Sequence, residues 1–144
     1  MVMDHFPFAD PITIIRQAEE KGLSVDEVER QILGIDHMEI GAILLGQWNF
    51  PLAIIEAIRW HHLPDSFPGD SRLLDIVHVA DAISLMMGIG LQSEGLNYQT
   101  SSQTKDRLNL NVKKIEELIF RIQEELDLLR QSFSRLIGEA FPCR

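Results

Sequence analysis

Four of the five histidines, His37, His61, His62 and His78, fall in the middle of the chain, and Asp81 follows His78 by three residues. Imidazole nitrogens with a carboxylate oxygen make a donor set that suits Fe, Mn or Zn, and in helical bundles such ligands arrive from several helices. The spread of these residues is right for one site. His61 and His62 are adjacent, so on a regular helix their side chains diverge by about 100° and only a helix end, or two metals, lets both bind. His78 and Asp81 share a helix face and could be co-ligands, or a hydrogen-bonded pair in which the carboxylate orients the ring. The structural alternative has His37 helping to cap its helix, His61 and His62 satisfied by carbonyls at a helix C-terminus, and Asp81 as an inward carboxylate with a partner.

Helices must position these groups. Asp10 and Pro11 read as an N-cap and first turn, with Ile12, Ile15 and Ala18 at helical spacing up to Gly22. Ser24 with Glu27 forms a capping box for a second helix, whose stripe is Val25, Val28 and Ile32 and whose stop is Gly34. Asp36 with Glu39 repeats the pattern and starts a helix from His37 to about Trp48, with Ile40, Ile43 and Leu44 on its face and Gly41 as a close-packing point. Pro51 opens a fourth, which runs through Ile54, Ile55 and Ile58 to Trp60, His61 and His62. The segment Leu63 to Asp70 holds two prolines and a glycine and reads as a loop.

Asp70 or Ser71 then caps a helix through Leu74, Val77, His78 and Asp81 to Met87, closed by Gly88 and Gly90. Residues 91–110 read as a loop, Ser/Gln/Thr-rich over 91–107 and without a period. Residues 111–137 read as one long amphipathic helix carrying Val112, Ile115, Leu118, Ile119, Ile122, Leu126, Leu129 and Phe133. No strand pattern, phosphate-binding glycine loop, paired cysteine motif or internal repeat competes. The expected fold is all-α, a multi-helix bundle in a single domain over 1–144.

The 144 residues are 45% hydrophobic and 24% charged, an ordinary globular composition. No apolar run reaches the ~20 residues needed to span a bilayer, and the N-terminus lacks a signal peptide's basic region, so no membrane association is expected. Cys143 is the one cysteine, which fits a reducing compartment, and the expected location is cytoplasmic. Thirteen Lys and Arg against 22 Asp and Glu leave a net charge of −9, which repels a phosphate backbone. The densest basic cluster, Lys113-Lys114, is followed by Glu116-Glu117 and reads as a solvated helix face, so nucleic acid is not an expected partner.

The order Gly34-Ile35-Asp36-His37-Met38-Glu39-Ile40-Gly41-Ala42, then Leu45 to Trp48, Pro51, Ala57-Ile58, His61-His62 and Val77-His78-Val79-Ala80-Asp81, resembles the HDOD domain family. The likeness covers about residues 10–90, including the helix with Glu29-Arg30, and 1–90 is the family-like core. HDOD domains are similar to the HD superfamily of all-helical metal-dependent phosphohydrolases, whose HD-GYP members cleave cyclic dinucleotides. That resemblance implies ligand-like positions for His37, His61, His62 and Asp81, which would hold Fe, Mn or Zn at a degenerate site. It implies that His78 supports the ligand residues from behind or has a structural place.

The chain departs from the pattern in two respects. The family's first histidine and its His-Asp doublet lie upstream of where this sequence begins, with Asp4-His5 in the reverse order, so the expected bundle lacks the family's N-terminal helices. Leu63-Pro64-Asp65 stands after His62 where a GYP motif would be. The expected function is a non-catalytic signal-transduction or protein-interaction module, acting on a protein partner or as a homo-oligomer. The alternative is a metal-dependent phosphohydrolase acting on a nucleotide or phosphodiester. A core missing its covering helices would expose apolar surface and self-associate or dock on a partner bundle.

Overall fold

In the computed structural model the described residues are 10–89 and 100–140, with side chains described up to 134. Asp4, His5, Gly90 and residues 91–99 of the expected loop lie outside them. Among the described residues the fold is all-α: α1 (Pro11–Lys21), α2 (Val25–Leu33), α3 (His37–Gln47), α4 (Leu52–Trp60), α5 (Arg72–Met86), α6 (Ser102–Arg107) and α7 (Val112–Ala140), with a 3₁₀ turn at Pro64–Ser66. No helix among them is long and apolar enough to cross a membrane. The chain divides into two units, Met1–Asn109 and Leu110–Arg144.

The caps stand where the sequence puts them. Asp10 accepts the Ile12 N–H at 3.2 Å, and Gly22 closes α1 at φ 63°, a left-handed conformation open to glycine at little steric cost. Ser24 donates its N–H to the Glu27 carboxylate at 3.0 Å at the start of α2. Asp36 accepts the Glu39 N–H at 2.8 Å, but this is half a capping box. The Glu39 carboxylate turns away to Arg59 of α4, at 2.9 and 3.0 Å, and so ties two helices together instead of closing one end.

The core of the first two helices joins Ile14 and Ala18 of α1 to Val28 of α2, with Leu23, Val25 and Leu33 packed around them. The face of α1 is therefore set by Ile14 and Ala18, and the expected Ile12 is 72% exposed. Ile32 and Ile43, also expected inside, are exposed, whereas Met38 and Ala42 make the buried face of α3. α3 packs on α4, and α4 on α5. A Cβ on Gly41 would sit 2.8 Å from the Ile58 Cγ2, so glycine allows the two backbones to come this close. Along α5 the buried positions are Leu74, Asp75, His78, Val79, Ala82 and Ile83, a stripe at helical spacing that places a carboxylate and an imidazole inside.

The expected loop over 91–110 contains a helix, α6, capped by the Ser101 hydroxyl accepting the Thr104 N–H at 3.2 Å. Tertiary partners hold it. Thr104 donates to Asp75 of α5 at 3.0 Å, and Arg107 donates to the same carboxylate at 2.6 and 2.8 Å. Six residues make too short a helix to hold by propensity alone, so a sequence window shows no signal for it.

The second unit contains α7. Asn111 accepts the Lys114 N–H at 2.9 Å at its start, and Lys113 and Glu117 pair at 3.9 Å along its exposed side. The helix runs from Val112, one residue after the expected start.

Candidate functional site

Two helix ends bring the histidines together. His37 is the first residue of α3, while His61 and His62 follow the last turn of α4. The α4 helix stops there because Leu63-Pro64 cannot continue it. The Nε2 atoms of His37 and His62 lie 3.0 Å apart, and the rings of His61 and His62 are 4.0 Å apart between centroids. One ligand atom from each of His37, His61 and His62 falls within 4.8 Å of the others. Adjacent histidines can converge here because the helix ends between them and the loop, which is the condition their spacing imposes.

Two of the three rings are oriented from behind. The Nδ1–H of His37 donates to Glu29 Oε2 at 2.6 Å, and the same oxygen accepts the His37 backbone N–H at 2.9 Å. His61 donates its Nδ1–H to the Ile58 carbonyl at 2.7 Å. Each bond fixes a tautomer that leaves Nε2 as the electron-pair donor, the arrangement by which metal-binding histidines are usually held. The Ile58 carbonyl is also one of the helix-end acceptors that a purely structural histidine would use.

Burial pushes the His62 pKa down to about 3, with the neighbouring His61 and His37 rings acting in the same direction. His61 is lowered too, first by burial, with its bond to the Ile58 carbonyl acting against the shift. These rings are neutral at physiological pH and available as donors.

Asp81 Oδ2 lies 3.6 Å from His62 Nδ1, too far for a hydrogen bond. That oxygen is buried and has no hydrogen-bond partner among the described residues. A buried carboxylate oxygen without a donor is costly in a protein interior, and a cation is one way to satisfy it. With neutral imidazoles beside it, the donor set fits Fe, Mn or Zn.

His78 is placed differently from the other three. Its Nδ1–H donates to the His61 carbonyl at 2.6 Å and its Nε2 accepts the Ser101 N–H at 3.0 Å. Both ring nitrogens are therefore engaged, and the ring joins the end of α4 to the start of α6. Of the two arrangements open for His78 and Asp81, neither co-ligation nor a direct pair uses these bonds.

Glu29 is the residue that sequence reasoning about the site missed. Its signal was present: Glu29 stands four residues from both Val25 and Leu33, on the apolar face of α2. A second missed group is the anchor of α6. Arg107 approaches Asp65 at 3.5 Å as well as Asp75, and the Ser101 hydroxyl donates to Asp65 at 2.6 Å. Nearer α2, Arg30 joins Asp26 to Asp36 and so braces the turn before His37.

Residues 2–64 match the family model of the HDOD domain. This stretch is therefore similar to part of an HDOD domain. The match begins ahead of the 10–90 stretch over which the likeness was read and ends just past His62, so His37, His61 and His62 lie inside it while His78 and Asp81 lie beyond. Neither the curated proteins nor the solved structures returned a match.

Proposed function

With residues 2–64 matching the HDOD family, we propose that the chain is a non-catalytic signalling or protein-interaction module of HD type. It works in the cytoplasm on a protein partner or a second copy of itself. The observation that carries the reading is the apolar turn between α3 and α4, where Trp48 is 63% and Leu52 67% exposed, with Phe50 exposed between them. The Phe50 N–H holds the Leu45 carbonyl at 3.0 Å, so this turn presents its side chains from an ordered backbone. Apolar area left wet costs ~25 cal/mol per Å², and large side chains grouped in this way are typical of surfaces that another protein covers. Tryptophan in particular is enriched among residues that dominate binding energy. The net charge of −9 argues against nucleic acid, and a lone Cys143 fits a reducing compartment.

A second reading, a metal-dependent phosphohydrolase acting on a nucleotide or phosphodiester, is favoured by the His37, His61 and His62 cluster and by Asp81 Oδ2. These four residues would hold the ion, with Glu29 orienting His37. A divalent ion there supplies Lewis-acid chemistry to a phosphoester. The two readings separate in one assay, in which the purified chain is incubated with bis(4-nitrophenyl) phosphate and Mn²⁺, Fe²⁺ or Zn²⁺. No turnover is expected. Turnover that disappears in both His62→Ala and Asp81→Asn would reverse the order of the two readings.

A further inference from the structure

Along α7, the apolar residues Val112, Ile115, Ile119, Ile122, Leu126, Leu129 and Phe133 form one series, with Leu118 beside it. The steps alternate between three and four residues without a break, a mean period of ~3.5. A straight helix turns once in ~3.6 residues, so a stripe that keeps the shorter period faces one neighbour along its length only if the two helices supercoil left-handed. In heptad terms Val112, Ile119, Leu126 and Phe133 take position a, and Ile115, Ile122 and Leu129 take position d.

Among the described residues three of the seven seam positions are exposed, Val112 at 72%, Leu129 at 54% and Phe133 at 61%, and Ile115, Ile119, Ile122 and Leu126 between them are half-buried. One pair of positions beside it carries opposite charges. Glu125 falls at g and Arg130 at the following e, the two positions that meet across a parallel, in-register pair of helices. Two-fold symmetry makes the contact occur twice, so the helix is complementary in charge to itself. Arg130 lies 3.3 Å from Asp127 on its own helix, yet its side chain is 70% exposed and within reach of a neighbour.

We propose that α7 is an association helix that pairs with α7 of a second copy of this chain, as a parallel coiled coil closed by the Val112-to-Phe133 seam and registered by Glu125–Arg130 contacts. The inference names the partner for the interaction-module reading, and as an account of function it rests on that reading. A homodimer is the simplest closed assembly for a self-complementary surface. Phe120 and Leu128, also exposed, lie off the seam and are not used.

The test is light scattering on the full chain during size-exclusion chromatography, over a dilution series and with a reductant present to keep Cys143 from cross-linking. The expected mass is that of two chains, falling to one in the double variant Leu126→Lys/Leu129→Lys. Arg130→Glu should weaken the dimer roughly tenfold, by turning two attractions into repulsions, and adding Glu125→Arg should restore it. Phe120→Ser/Leu128→Ser should leave the dimer intact. A monomer at every concentration overturns the proposal, as does a dimer that ignores the seam variants, depends on Phe120 and Leu128, or is not rescued by the charge exchange. Phosphodiester turnover by a dimer would remove the non-catalytic reading and leave the pairing standing, whereas an inert monomer would remove the pairing alone.

Discussion

Glu29 and His37 are joined twice: one carboxylate oxygen accepts both the ring Nδ1–H, at 2.6 Å, and the backbone N–H, at 2.9 Å. Glu29 is 2% exposed, so a carboxyl group on α2 is buried against the first residue of α3. The bond thus fixes a ring tautomer and the start of a helix with a single side chain.

Replacing Glu29 by Ala removes the acceptor of two His37 hydrogen bonds, each contributing about 0.5–1.5 kcal/mol. Urea denaturation should show this loss, and nitrogen-15 spectra of the imidazoles should show His37 no longer held as the Nδ1–H tautomer. Glu29→Gln keeps an acceptor oxygen and should lose less. Equal stability in all three proteins would mean the contact contributes nothing.

Each of the three clustered rings has a protein partner, in Glu29, the Ile58 carbonyl or a neighbouring histidine. The fold should therefore survive without metal, unlike domains whose metal free energy is their folding free energy. Cobalt(II) added to metal-free protein should give visible d–d absorption that a chelator removes, with the far-ultraviolet circular dichroism unchanged throughout. His62→Ala should abolish the absorption. A chelator that unfolds the protein contradicts this account.

Burial acts to raise the pKa of Asp75, but hydrogen bonds from Arg107 and Thr104 outweigh it and hold the carboxyl below its ordinary value. A carboxyl whose pKa is lowered on folding binds protons more readily in the unfolded chain. Its contribution is complete above the usual carboxylate value of about 3.9 and is lost as pH falls through the lowered one. Amide hydrogen exchange in α6 should accelerate over that acid range, and Asp75→Asn should flatten the dependence. An α6 whose protection is constant into strong acid would exclude Asp75 as its anchor.

Gly41→Ala places a methyl group 2.8 Å from the Ile58 Cγ2, and a β-branched side chain has little rotamer freedom with which to yield. Overpacking of this kind costs about 1–3 kcal/mol, against the ~1 kcal/mol that alanine gains over glycine in a helix. The net expectation is a loss of about 1 kcal/mol in chemical denaturation. Most of it should be absent when the substitution is made on an Ile58→Ala background. A stabilised Gly41→Ala protein would show that α3 and α4 can separate freely.

Caps and breakers were local, and so they were legible. Asp10 with Pro11, Ser24 with Glu27, the stop at Gly22 and the end of α4 before Leu63-Pro64 depend on residues within a few positions of each other. The choice of buried face was less so: Ile12, Ile14 and Ile15 lie within one turn of α1, and only the neighbouring α2 decides that Ile14 points inward. Helix α6 was hidden because its partners Asp75 and Asp65 are about thirty or more residues away in the chain. The sequence alone determined the helical class, most element ends and the histidines worth watching, because these follow from local backbone preferences and residue chemistry. Tertiary structure decided that His37, His61 and His62 share one cluster, that His78 holds α6 and that Glu29 orients His37, because convergence depends on how separate helices pack and not on residue spacing.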